Sequence, residues 1–184
     1  MFTSNGYTIT YSKEELLENK EAHKLLGMFE SLDSEYIDGK QTDVQLKDIA
    51  KFAVEYLENE HGFFLMIEGA YIDKNSHSHY FHETMCEVRS LIDTIEYLYS
   101  YAADGKTAVI ITADHENGGL DLMNDNTIDF NALFTASSHT RRQVPLYIKN
   151  YAFNSANFGY SAESVPENTV VFEICRKMIM GERA

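Results

Sequence analysis

A chain of 184 residues, 44% hydrophobic and 12% aromatic, fits one domain with a sizeable core. Its net charge of −14 argues against a nucleic-acid surface, which needs basic patches. No apolar run reaches membrane-spanning length, and the first six residues lack the basic-then-apolar pattern of a secretory signal.

In chain order, Ser12-Lys13-Glu14-Glu15 reads as a capping box that opens a helix with Leu16 and Leu17. A second short helix is predicted over Ala22 to Leu32. Thr42 and Gln45 form another capping box, after which Leu46, Ile49, Ala53 and Leu57 recur at helical spacing. His61-Gly62 ends that helix, and Phe63 to Ile67 reads as a strand. The longest helix is expected from about Glu83 to Ala102, with Met85, Val88, Leu91, Ile92, Ile95 and Leu98 on its apolar face. Asp104-Gly105 stops it, and a strand follows from Thr107 to Thr112. Asn117-Gly118-Gly119 reads as a turn, with loop up to His139 apart from a short strand near Leu120. A strand over Val144 to Lys149 precedes a polar, glycine-containing stretch. A last helix starts near Pro166 and carries Val171, Ile174, Cys175 and Met178 inward. This alternation predicts an α/β fold, a mostly parallel sheet with helices on both faces, in a single domain over 1–184. Cys86 and Cys175 fall in helix-like stretches without CxxC spacing and read as small buried hydrophobes.

Residues of metal-ligating type cluster beside the strand-like runs. Glu68 and Asp73 follow Phe63 to Ile67, with His77 four residues past Asp73; Asp114-His115 follows Ala108 to Ile111; His139 precedes Val144 to Ile148. Carboxylate and imidazole together suit zinc and magnesium. Taken singly, His77 and His139 read as solvated loop residues, and Asp73 and Asp114 as turn or cap residues. Glu68 is different: it ends a five-residue apolar run, where an ionised group is seldom buried without a partner.

The stretch from Gly62 to His77, with Glu68-Gly69 ahead of an Asp-x3-His pattern, resembles the signature around the metal sites of alkaline phosphatases. Thr112-Ala113-Asp114-His115 resembles that family's second metal motif, and His139-Thr140 its third. Leu26-Gly27-Met28-Phe29 and Glu167-Asn168-Thr169 ahead of an apolar helix resemble further landmarks. Each motif is short, and it is the three in family order that carry the resemblance. It spans nearly the whole chain but only the C-terminal part of the family's domain.

What the resemblance implies is a partial three-layer α/β/α domain of an enzyme that hydrolyses phosphate monoesters with two zincs and a magnesium, through a phosphoserine intermediate. By it, Asp73, His77 and His139 ligate the first zinc, Asp114 and His115 the second, and Glu68 the magnesium. Lys74 takes a position near the phosphate, reached through water. The family's nucleophilic serine lies in an Asp-Ser-Ala type motif, and no such tripeptide occurs here. Asp33-Ser34 falls where the family has a connecting segment and reads as loop. The nucleophile-bearing N-terminal half of the domain is therefore an expected partner, and the chain alone is expected to be inactive. A homodimer and a periplasmic or extracellular location are expected from the family as well. Two alternatives stand beside this reading: a non-catalytic metal-binding or assembly piece, and a related phosphomutase or sulfatase of the same superfamily. Glu68-Gly69 ahead of Asp-x3-His favours the phosphatase.

Overall fold

The computed structural model describes residues 2–40, 42–122, 129–151 and 165–181. The predicted polar stretch after Lys149 lies for the most part outside the described residues. The class is α/β: strands β1 (Thr8–Thr10), β2 (Leu25–Gly27), β3 (Val109–Thr112), β4 (Glu116–Asn117), β5 (His139–Thr140) and β6 (Leu146–Lys149) share the chain with helices. The helices are α1 (Lys13–Glu18), α2 (Leu46–Leu57), α3 (Ala70–His77), α4 (Phe81–Tyr101) and α5 (Val170–Ile179). Among the described residues, sheet structure is present as three two-stranded pieces, β1 with β2, β3 with β6 and β4 with β5. The first is parallel and the second antiparallel. No described helix is long and apolar enough to cross a membrane. Contacts divide the chain into two compact units, Met1–Ser100 with Asn117–Thr140, and Tyr101–Glu116 with Arg141–Ala184.

In the first unit, Ser12 caps α1 as its spacing predicts: its hydroxyl accepts from the Glu15 N–H at 3.1 Å. The Glu15 carboxylate reaches back to the Tyr11 N–H at 2.7 Å. The second capping box sits three residues later than the sequence suggests. Gln45 is the residue before α2, and the Asp48 carboxylate accepts its N–H at 3.2 Å. Thr42 is otherwise engaged, donating to the Asp33 carbonyl at 3.1 Å. Ala50 and Val54 are the buried column of α2.

The helix expected over Ala22 to Leu32 is absent, and Leu25–Gly27 forms β2 there. Backbone donors and acceptors of this segment are drawn to β1, with Thr8 N–H on Lys24 O at 2.8 Å and Met28 N–H on Thr10 O at 2.8 Å. Gly27 inside a helix would also cost about 1 kcal/mol relative to Ala. Phe63 to Ile67 is likewise not paired as a strand. It nevertheless keeps a strand's period of two, with Phe64 60% and Met66 78% exposed and their neighbours half-buried.

The long helix is where it is predicted, but a different side is buried. Thr84, Cys86, Glu87, Ser90 and Thr94 are enclosed, while Ile92 is exposed and Met85, Val88, Leu91, Ile95 and Leu98 are half-covered. The reason is a polar clamp. The Glu87 carboxylate accepts the Ser34 N–H at 2.8 Å, and the Ser34 hydroxyl donates to Cys86 O at 3.1 Å. The Cys86 thiol donates to Tyr36 O at 3.1 Å. Desolvation pushes the Glu87 carboxyl up from its ordinary pKa and the Cys86 thiol up from its own. Ser34, buried and spent on this clamp, is a structural residue.

The second unit is built on β3 against β6, from Val109 opposite Lys149 to Thr112 opposite Leu146. The Thr112 hydroxyl donates to Pro145 O at 3.0 Å. Asn150 turns the chain at φ 62° and donates from its carboxamide to Ala102 O (2.7 Å) and Thr107 O (2.8 Å). In α5 the buried residues are Val170 and Ile174.

Candidate metal centre

Asp73 and His77 are one turn apart on α3, so their side chains rise from the same face. The helix ends in a Schellman motif: Tyr80 N–H bonds Asn75 O at 3.0 Å and His79 N–H bonds Ser76 O at 3.1 Å. His79 fills the left-handed position at φ 56°, where glycine is usual. Its imidazole is held from outside the helix, by Ala136 O at 2.8 Å and by the Phe134 ring, stacked at 5.1 Å between centroids. The segment that leads to His139 is thus fastened to the end of α3.

The result is a three-residue cluster. The Nε2 atoms of His77 and His139 lie 3.1 Å apart. His77 Nε2 is 3.7 Å from Asp73 Oδ2, and His139 Nε2 is 3.6 Å from Asp73 Oδ1. Around a tetrahedral zinc with bonds of about 2.0–2.1 Å, donor atoms stand about 3.3 Å from one another. The three donors therefore fit one zinc-sized ion in both type and spacing. Asp73 is half-buried while His77 and His139 are exposed, leaving the centre open on one side.

Asn117, which sequence reading treats only as part of a turn, belongs to this neighbourhood. Its carboxamide donates to Asp73 Oδ1 at 2.7 Å and to the Asp73 carbonyl at 3.0 Å. The turn itself is real, with Gly118 at φ 77° and Gly119 at φ 59°. Nothing in the sequence short of the fold signals that the side chain before Gly-Gly reaches a residue 44 positions upstream.

Asp114 and His115 are in the second unit, with His115 Nε2 3.2 Å from Asp114 Oδ2. The His115 N–H bonds Asp114 Oδ1 at 3.1 Å, and the Asn168 carboxamide bonds the Asp114 carbonyl. Glu68 is exposed at the end of the unpaired extended run. Asp73 is in α3, beyond the extended run that it follows in the sequence. Lys74 places its ammonium 4.3 Å from the centre of the Tyr71 ring on the same helix. Its field reaches Asp33, whose carboxyl is held below its usual range by the Ser31 hydroxyl first, and also by Lys40 and Lys74.

A family model described as alkaline phosphatase matches residues 1–170. Alkaline phosphatase 4 of Bacillus subtilis is 34% identical over 121 residues, which cover 64% of this chain and 26% of that protein. Alkaline phosphatase H of Pseudomonas aeruginosa is 40% identical over 72 residues, 38% of this chain and 15% of that protein. The matched stretches thus span about a quarter or less of these relatives' length. Among solved structures, a variant of the alkaline phosphatase from the Antarctic bacterium TAB5, with Mg bound, shares the fold. The TM-score is 0.62 at 23% identity, over 80% of this chain and 46% of that one.

Proposed function

This chain belongs to the alkaline phosphatase family, and from that premise we propose that it supplies the C-terminal metal ligands of a phosphate monoester hydrolase. The observation that carries the proposal is the convergence of Asp73, His77 and His139, with donor atoms all within 4.8 Å of one another. These three would hold one zinc. A second zinc is assigned to Asp114 and His115, and a magnesium to Glu68, on the resemblance of their motifs. Such ions supply Lewis acidity toward phosphoryl and leaving-group oxygens.

The chain's own groups have separable tasks. With such an ion bound, the two imidazoles would each present an Nε2 lone pair to it, and the Asp73 carboxylate would offset part of its charge. Lys74 is proposed to approach the phosphate through water, which requires its ammonium to leave the Tyr71 ring. Ser76 is unsuited as a nucleophile, because its hydroxyl donates to Ile72 O at 2.7 Å inside α3. We assign the nucleophilic serine to a complementary N-terminal segment of the same domain, both units being parts of that domain. The unpaired run Phe63 to Ile67 supports such a partner, since Phe64 and Met66 turn apolar surface outward for a complementary segment to cover. A homodimer and export from the cytoplasm are proposed on family grounds. A second reading, a metal-binding or assembly piece without turnover, is favoured by one observation, the lack of an Asp-Ser-Ala tripeptide in the sequence.

The test is hydrolysis of p-nitrophenyl phosphate at alkaline pH with zinc and magnesium present. The chain alone should turn over weakly or not at all. Mixing it with the complementary segment of a full-length relative should produce metal-dependent hydrolysis. A mixed complex that forms but stays inactive would favour the non-catalytic reading; vigorous turnover by the chain alone would overturn the division of labour.

A further inference from the structure

We infer that Asn117 is a positioning residue for the Asp73, His77 and His139 centre, holding the Asp73 carboxylate in its ligating orientation. The inference rests on the metal reading of that cluster and adds a residue that the sequence motifs do not assign.

Three observations point the same way. First, Asn117 grips Asp73 twice, at Oδ1 (2.7 Å) and at the backbone carbonyl (3.0 Å). A donor shared between a residue's side chain and its own carbonyl fixes the carboxylate relative to the helix that bears it. Second, chemistry fixes which way the carboxamide faces. Turned over, its oxygen would meet two acceptors of Asp73, so the amide nitrogen must point there. The Asn117 Oδ1 then stays buried without a partner. An unpaired buried acceptor is costly, and its persistence fits a side chain whose donor end is the needed one. Third, the backbone next to Asn117 is tied to the segment bearing His139. Gly118 N–H donates to Ser138 O at 3.2 Å, and Gly118 O accepts from the Ala136 N–H at 2.9 Å. One turn therefore registers Asp73, through a side chain, against His139, through the main chain. Groups that orient metal ligands in this way typically contribute 10–100-fold to metal affinity.

The experiment is a zinc titration of the purified chain against a chromophoric chelator, with melting curves recorded in EDTA. Asn117→Ala should weaken zinc binding by roughly 10–100-fold. In an Asp73→Ala background, which itself binds zinc more weakly, the same change should have no further effect on affinity, because the group it orients is gone. A merely structural Asn117 would behave otherwise: the metal-free melting temperature would fall, while zinc affinity stayed within twofold of the parent. That result overturns the inference and leaves the metal centre standing. A parent chain that binds no zinc, or whose affinity is indifferent to Asp73→Ala, overturns both. Should Asn117→Ala fail to fold, Asn117→Gln carries the same comparison, since it keeps a carboxamide and displaces it by one methylene.

Discussion

His77 and His139 come from a helix and a short strand 62 residues apart, yet their Nε2 atoms approach to 3.1 Å. Two imidazole lone pairs cannot face each other at that distance. One ring must donate a proton to the other, or a cation must stand between them. With Asp73 carboxylate oxygens 3.6 and 3.7 Å from the same two atoms, a divalent ion would satisfy all three groups together.

Zinc should accordingly stabilise the chain. At 100 times its Kd, an ion that binds only the folded form adds about 2.7 kcal/mol. In a chain of this size that corresponds to a rise of roughly 5–11 °C in Tm. Asp73→Ala or His139→Ala should remove most of the rise. Thermal melting with and without zinc measures it, and a Tm that zinc leaves unmoved in the parent chain refutes an intact centre.

Gly118 offers a test of the turn behind the centre. At φ 77° it has a conformation that costs other residues roughly 1–2 kcal/mol. A Cβ there would fall 2.5 Å from Phe134 Cδ1 and 3.4 Å from Ser76 O. Gly118→Ala should therefore destabilise the chain by roughly 2–4 kcal/mol, strain and overpacking together. Urea denaturation gives the figure. A loss below about 0.5 kcal/mol would mean that the turn relaxes freely and does not brace the segment leading to His139.

Much of this was legible in sequence. Helical periodicity located α2, α4 and α5, and the Ser12–Glu15 capping pair located α1, because these signals are local. The pairing of residues in space was less accessible. Leu25–Gly27 became β2 because a parallel neighbour took its backbone bonds. The apolar stripe of α4 lost the deepest burial to Cys86, Glu87, Ser90 and Thr94, because Ser34 and Tyr36 offered those polar groups partners. At the centre, Asp73 and His77 were one helical turn apart in the sequence itself, whereas His139 joined them only by its motif. Asn117 carried no motif at all, since its hydrogen bonds exist only once α3 and the Gly118 turn are packed.

Glu87 should give the chain a pH dependence of definite sign. Burial raises its carboxyl pKa in the folded chain, against a smaller opposing effect of the Ser34 N–H. Between the unfolded and folded values the folded chain holds more protons than the unfolded one, so stability falls as pH rises through that window. The contribution is fully present below the ordinary carboxyl pKa and lost above the raised one. Glu87→Gln keeps an acceptor for Ser34 without the charge. It should raise Tm at neutral pH, by roughly 2–4 °C for each kcal/mol recovered, and the gain should vanish in acid. A gain equal at pH 4 and pH 7 would exclude the buried charge as its source.

The extended run Phe63 to Ile67 yields the last expectation. Phe64 and Met66 protrude on one side with 60% and 78% of their surface exposed. Residues so exposed contribute little to the stability of the chain that bears them, so Phe64→Thr with Met66→Thr should change unfolding free energy by less than about 0.5 kcal/mol per site. Buried against a complementary segment, an apolar side chain of this size is worth about 1.5–3 kcal/mol. The double substitution should therefore leave Tm nearly unchanged, reduce binding of a hydrophobic dye, and weaken association with the N-terminal segment of a full-length relative by at least tenfold. Calorimetric titration of the two pieces decides the point. Unaltered association would show that the run is ordinary surface, and a large fall in Tm would show that Phe64 and Met66 are packed within the chain itself.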